Sequence, residues 1–188
     1  MTGDAYLTDQ LLIAMPAMQD GNFVRTVAYV CRHTAEGAMA LVVNRPLGLS
    51  VADVLEQLEL AAGAPGLATM PVLSGGPVQP DRGFVLHADD GRPWDSTLVV
   101  RPGLCLTTSR DILVALAEER APSPLLFALG YAGWGAGQLD RELLENAWLT
   151  VPANPAILFD TPVEQRWQAA ADLVGVDLSR LSNYAGRA

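Results

Sequence analysis

The first third of the chain alternates apolar and polar residues with a period near two. Gln10 to Pro16 (QLLIAMP) and Phe23 to His33 (FVRTVAYVCRH) read as β-strands, the second with apolar residues on both faces, as in a central strand. Gly37 to Asn44 (GAMALVVN) follows a short turn, so an antiparallel meander is the predicted opening. At Ser50 the period lengthens. Ser50-Val-Ala-Asp53 carries both ends of a capping box, and Val51, Val54, Leu55 and Leu58 then share one helical face. Ala61 to Pro71 has no charge and no usable period, and Gly and Pro break it repeatedly; the expectation is a mobile loop able to cover a site.

Val72-Leu73, Gly83 to His87 and Thr97 to Arg101 predict further strands, joined by the turn-rich segments SGGPVQPDR and ADDGRPWD. A helix is expected after Thr108, with Asp111 in its first turn, Ile112, Leu113, Leu116 and Ala117 facing inward, and Pro122 as its stop. The pattern then runs strand, glycines, helix, strand, helix. Leu125 to Tyr131 is apolar strand, Gly137 to Trp148 places Leu139, Leu143, Leu144 and Ala147 at helical spacing, and Pro155 to Asp160 reads as strand again. Thr161-Pro-Val-Glu164 predicts the start of a last helix that buries Val163, Trp167 and Ala170. Strands first and mixed units later give an α+β class, and 188 residues without an internal repeat suit a single domain over 1–188.

Charge narrows the functional classes. All 12 basic residues are arginines, which closes the chain to Schiff-base lysines and to the P-loop lysine. A net charge of −9 and a pI near 4.5 set the average field against nucleic acid, and no helix-turn-helix or zinc spacing is present, so direct DNA binding is not expected. No apolar run reaches the roughly 18 residues of a membrane span, and Met1 to Gln10 lacks a leader pattern, which predicts a cytosolic protein without a membrane segment. Cys31 and Cys105 are too few for a disulfide framework or a four-cysteine zinc site; free thiols are expected, with a bridge between them left to geometry.

Four constellations carry chemistry. Gly133-Trp-Gly135-Ala-Gly137 imitates a dinucleotide-binding turn, with Asp160 further on, but its spacing is wrong and Trp134 occupies the place where pyrophosphate would approach; a tight strand-to-helix turn explains it better. Cys31 and His33, two apart on a strand, should share a face, where imidazole can activate a thiolate or both can ligate a metal. His87 with Asp89 repeats that spacing, although Asp89-Asp90-Gly91 is also an ordinary turn and both histidines suit hydrogen-bonded core positions. Asn44-Arg45-Pro46 ends a strand, and Ser74-Gly75-Gly76-Pro77 is a turn able to form an anion nest. Arg45 can supply the bidentate contact, inside a stretch from Asn22 to Pro46 where Arg25, Arg32 and Arg45 face only Glu36. The leading expectation is therefore a regulatory module that binds a small anionic ligand or a protein partner through Asn44, Arg45, Gly75, Gly76 and His87. An enzyme using Cys31, or a metal held by histidine with His33, comes second. Ser74, His87 and an aspartate lack the elbow motif of a hydrolase. No metal set, cofactor or oligomeric state is specified.

Several longer motifs are shared with one family. QLLIAMPAMQDGNFVRTVAYVCRH, GAMALVVNRP, the stretch from SGGPV to GFVLH, LFALGYAGWGAGQLDRELLENAWL and the ending RLSNYAGRA occur in this order, and together they resemble the YqgE/AlgH family of bacterial proteins nearly end to end. The resemblance implies an α+β fold whose bifurcated, mostly antiparallel sheet closes into a pseudo-barrel with helices around it. It implies no reaction: the family's transcriptional-regulator label derives from an alginate-control phenotype and not from a DNA-binding module. The recurrent Cys-x-His, Asn-Arg-Pro, Gly-Gly-Pro and Leu-His elements fall on Cys31, His33, Asn44, Arg45, Pro46, Gly75, Gly76, Pro77, Leu86 and His87. Ala40 stands where the family commonly has glycine, and Gly186-Arg187-Ala188 lacks its usual histidine.

Overall fold

Leu11, Ile13, Tyr29, Leu41 and Val43 lie on one face of the opening strands, and Leu12, Ala28, Val30, Ala40 and Val42 on the other. Both sets are buried, so this half of the sheet is covered on each side, which is why its strands read as nearly continuous apolar runs. A computed structural model describes residues 6–182. Strands β1 (Gln10–Ala14), β2 (Val27–Thr34) and β3 (Gly37–Val42) form the expected antiparallel meander. β4 (Pro46–Ser50) leads into α1 (Val51–Gln57), whose capping box between Ser50 and Asp53 is complete. β5 (Pro71–Ser74), β6 (Val78–Ala88), β7 (Thr97–Arg101) and β8 (Leu104–Thr107) precede α2 (Arg110–Ala117) and the long β9 (Leu125–Gly135). After α3 (Gln138–Leu144), β10 (Trp148–Pro152) returns to pair with β1, and α4 (Pro155–Phe159), α5 (Arg166–Leu173) and α6 (Leu178–Ser182) finish the chain.

The ten-stranded sheet runs β10-β1-β2-β3-β9-β6-β8-β7, with β4 and β5 branching from it. Every pair is antiparallel except β5 with β9. β9 causes the bifurcation: its first part pairs with β5 and β6, and its last four residues, Ala132 to Gly135, pair with β3. The sheet curls into a half-barrel, with α4 and α5 placing Ile157, Leu158 and Ala170 among the strand residues inside it. Arg101 on β7 reaches across to Asp9, before β1, at 3.1 Å, and the same carboxylate oxygen accepts the Tyr29 hydroxyl at 2.8 Å. Burial, then this bond to Asp9, pushes the Tyr29 hydroxyl well above its ordinary ionisation range. α1 and α2 cover the outer face of β5, β6 and β9 through Val51, Leu55, Ile112 and Leu116. Among the described residues no helix is long and apolar enough to cross a membrane.

Several expectations are corrected. Phe23 to Thr26 is a turn rather than strand, because the Asp20 carbonyl captures the N–H groups of Phe23 and Val24. Residues 65–68 form a short 3-10 helix that buries Leu67 against α1, so the uncharged 61–71 segment is packed and not a free lid. β9 continues through Gly133 and Gly135 instead of turning there, and Trp148 begins a strand instead of ending a helix. Pro155–Phe159 is helix, capped by the Asn154 side chain with Pro155 in the first turn; five apolar residues carry no period that separates helix from strand. Thr161 does not cap: its hydroxyl donates to the Ala156 carbonyl, and the helix proper begins at Arg166. β4, β8 and β10 are short strands that the sequence pattern did not separate from their surroundings.

The backbones of Gly75-Gly76 and Gly130-Tyr131 cross in contact. A Cβ on Gly75 would sit 2.2 Å from the Gly130 oxygen, and one on Gly76 would sit 2.1 Å from the Tyr131 carbonyl carbon. Gly75→Ala should therefore cost about 3 kcal/mol, as overpacking of rigid backbone does, and lower the melting temperature by roughly 6–12 °C. Gly21→Ala, whose Cβ meets nothing within 4 Å, is the control and should melt close to the parent in a thermal denaturation series.

Candidate functional site

Asn44 extends the β2–β3 ladder by one step: its Oδ1 accepts from the Val27 N–H at 2.9 Å, and its Nδ2 donates to the Arg25 carbonyl at 2.9 Å. Arg45 donates to the carbonyls of Gly21, Asn22 and Val24 at 3.0, 2.6 and 2.8 Å, which fixes the loop ahead of β2. Gly75 and Gly76 lie against β9, with the Gly75 N–H given to Leu129 and its carbonyl accepting from Val42. His87 is 1 % exposed; Nδ1 donates to the Ala88 carbonyl at 2.8 Å and Nε2 meets the Thr107 hydroxyl at 2.7 Å. These groups hold the frame, and none of them lines the hollows described below.

Cys31 and His33 do not share a face. A bulge in β2 shifts its register against β3 between Val30 and Arg32, so the alternation slips by one residue. Cys31 joins the interior cluster, and its thiol lies 3.6 Å from the Tyr29 carbonyl. His33 pairs with Ala38 on the other side, its Nδ1 accepting from the Leu7 N–H at 3.1 Å and its Nε2 pointing to Asp140 at 3.6 Å. Burial pushes the Cys31 thiol up to about 12, which removes the thiolate a nucleophile needs. Cys105 is also a buried free thiol. Among the described residues no cluster of three or more His, Cys, Asp or Glu could hold a metal ion.

The Gly133-Trp-Gly135 segment has a packing role. Trp134 and Trp148 both donate their indole N–H to Glu142 Oε2, at 2.9 and 2.8 Å, and Gln138 donates to the other carboxylate oxygen. Phe23 stacks on Trp134 and meets Trp148 edge-on, which seats the 15–25 loop on α3 and β9. One carboxylate thus organises two tryptophans that sequence reading left scattered.

The same bulge that buries Cys31 turns Arg32 outward. Arg32, Met39 and Gly133 lie in one register row across β2, β3 and β9, and they line a hollow of about 460 Å³ between the diverging branches of the sheet. Its far wall is Tyr131 with Val78, which pair where β6 leaves β9. A second hollow of about 320 Å³ shares Met39 and Tyr131 and continues between β6 and β7, past Arg82, Phe84 and Thr97. The two make one elongated trough. Arg82 is already engaged, lying 5.7 Å over the Phe84 ring and donating to Thr108 and Gln79. Arg32 is exposed and has no hydrogen-bond or ionic partner among the described residues. Sequence reading counted Arg32 only as charge. The available signal was an arginine inside an otherwise apolar strand, which a strict two-residue alternation cannot place.

The class so defined is an α+β half-barrel with a trough at the point where its sheet bifurcates. The AlgH-like family profile matches residues 11–179, and the chain belongs to that family. It is 52% identical over 180 residues to a UPF0301 protein of Stenotrophomonas maltophilia (strain R551-3), covering 96% of this chain and 95% of the relative. It is 52% identical over 188 residues, the whole of both chains, to a UPF0301 protein of Thioalkalivibrio sulfidiphilus. The solution structure of the AlgH protein from Pseudomonas aeruginosa superposes with a TM-score of 0.79 at 51% identity, over 100% of this chain and 99% of that one. A crystal structure from Corynebacterium diphtheriae, 20% identical, shares the fold with a TM-score of 0.74 over 97% and 94% of the two chains.

The buried thiol gives a pH test. In the unfolded chain Cys31 ionises near 9.0, whereas in the folded chain it stays protonated to about 12. The folded state keeps this contribution below pH 9 and loses it as pH rises toward 12, because there only the unfolded thiol releases its proton. Between pH 8 and 11 the melting temperature should fall less steeply for Cys31→Ala than for the parent. Parallel curves would mean that Cys31 ionises as freely folded as unfolded.

Proposed function

We propose that this protein is a non-enzymatic, regulatory binding module that takes a small, elongated anionic ligand in the trough, with the negative group at Arg32. The observation that carries this reading is the exposed guanidinium of Arg32, which has no partner among the described residues, beside a preformed hollow. An arginine in that position offers a bidentate fork to a carboxylate or phosphate. Tyr131 and Met39 give the body of the ligand an apolar wall, and Gly133 leaves room for it. Glu36 lines the same hollow, so the rim carries both signs and favours a single well-placed negative group over a polyanion. In this reading Gly75 and Gly76, crossing against Gly130 and Tyr131, help to place the Tyr131 wall, while Asn44, Arg45 and His87 stay in the frame.

A binding role also agrees with the chemistry of Cys31, which is buried and held as a thiol. The net charge of −9 argues against a nucleic-acid ligand.

Small mono- and dicarboxylates and phosphorylated metabolites should be screened by thermal shift and then by calorimetry. A ligand at 100 times its Kd stabilises the folded state by about 2.7 kcal/mol. Arg32→Ala should weaken the best ligand by roughly 10- to 100-fold, the worth of a charge-assisted hydrogen bond. Arg141→Ala, on α3 and away from the trough, should leave it unchanged. Equal affinity in the parent and Arg32→Ala would remove the ligand from the trough, and silence across the screen would turn the reading to a protein partner.

A further inference from the structure

A further cavity, of about 300 Å³, opens between the 65–70 segment and the start of α5 and shares no lining residue with the trough. Its walls are mostly apolar, with Met70, Leu73, Leu126, Leu158 and Phe159 beside Thr69, and Arg166 is the one charged side chain that lines it. Arg166 is only 7 % exposed, which is rare for an arginine. Its Nε donates to the Thr161 carbonyl at 3.0 Å and its Nη1 to the Val43 carbonyl at 2.7 Å. No ion pair to Arg166 occurs among the described residues, and Nη2 has no acceptor there. Arg166 lines the cavity, and the N–H groups it does not give to carbonyls are the donors a ligand there would meet.

Two carbonyls satisfy hydrogen bonds but do not neutralise a buried cation, and the exposed Glu164 carboxylate, which makes no ion pair with it, offsets the cost of burial only in part. We infer that this cavity is a binding site for a monocarboxylate with a short apolar chain, whose carboxylate pairs with Arg166 while its chain lies against Leu126, Leu158 and Phe159. The apolar walls exclude a polyanion, which would carry further charges with nothing to meet them. The single cation selects a single negative group. The cavity stands at the small end of the roughly 300–1,000 Å³ of ligand pockets, which limits the chain to a few carbons. This site is separate from the trough, and neither depends on the other.

The test uses the full chain with hexanoate, and with hexanol as its uncharged counterpart, followed by calorimetry and by methyl NMR of Leu126, Leu158 and Val163. Hexanoate should bind saturably, shift those methyl signals, and bind at least about tenfold more tightly than hexanol, the fold-change expected from a lost charge-assisted contact. Arg166→Gln should remove that preference. Because Arg166 also holds two carbonyls, Gly66→Phe provides an independent variant: Gly66 lines the cavity, and a Cβ there meets nothing within 4 Å, so the ring can fill the mouth while the fold stays intact. Hexanoate binding should weaken at least about tenfold in Gly66→Phe while an anion bound at Arg32 is unaffected. Equal affinity for hexanoate and hexanol, unchanged hexanoate binding in Gly66→Phe, or no saturable binding at all would overturn the inference.

Discussion

Strand β9 must serve two branches of one sheet along a single run of residues, and the rest of the architecture follows from how it does so. Its first part is held between β5 and β6, and its end is handed to β3. The handover occurs at Gly130, whose φ of +75° and lack of a side chain let the Gly75-Gly76 backbone cross against it. With side chains at those positions the two backbones could not approach, and the Val42-to-Gly75 and Gly75-to-Leu129 bonds that join the branches would be lost. The trough is the space left where β6 departs from β9, so the fold and its principal hollow share one cause.

A second constraint explains why the most reactive-looking residues are not gathered into a centre. Buried polar groups have to be hydrogen-bonded, and here the histidines, Asn44 and Glu142 meet that requirement for the frame. His33 anchors the segment before β1, His87 bridges Ala88 and Thr107, and Glu142 collects two indole N–H groups. Arg45 does the same for a loop whose carbonyls have no strand partner. What remains for binding is cationic: Arg32, with no partner among the described residues, and Arg166, with no ion pair among them, lining a mostly apolar recess.

Periodicity made the class and most elements legible. The meander of β1 to β3, the capped α1 and the strand character of β6, β7 and β9 follow from local pattern, because one face of each is buried and the spacing reports it. Local pattern failed where two structures satisfy the same short apolar run. Pro155–Phe159 is the clearest case, with its Asn154 cap outweighing a strand-like composition. It failed again at Cys31, since a bulge costs one residue of register and leaves no mark in composition.

By itself the sequence determined the α+β class, the absence of lysine chemistry, the acidic field and the family resemblance, all of which depend on composition or on order along the chain. Only the tertiary structure decided which side of the sheet Cys31, Arg32 and His33 occupy, that Gly75 and Gly76 meet β9, and that Arg166 lines a recess far from Arg32 in sequence. The physical reason is the same in each case. Facing and proximity are set by register and by backbone crossings between paired segments, some as far apart in the chain as Val43 and Arg166, and those are properties of the packed sheet rather than of any local stretch.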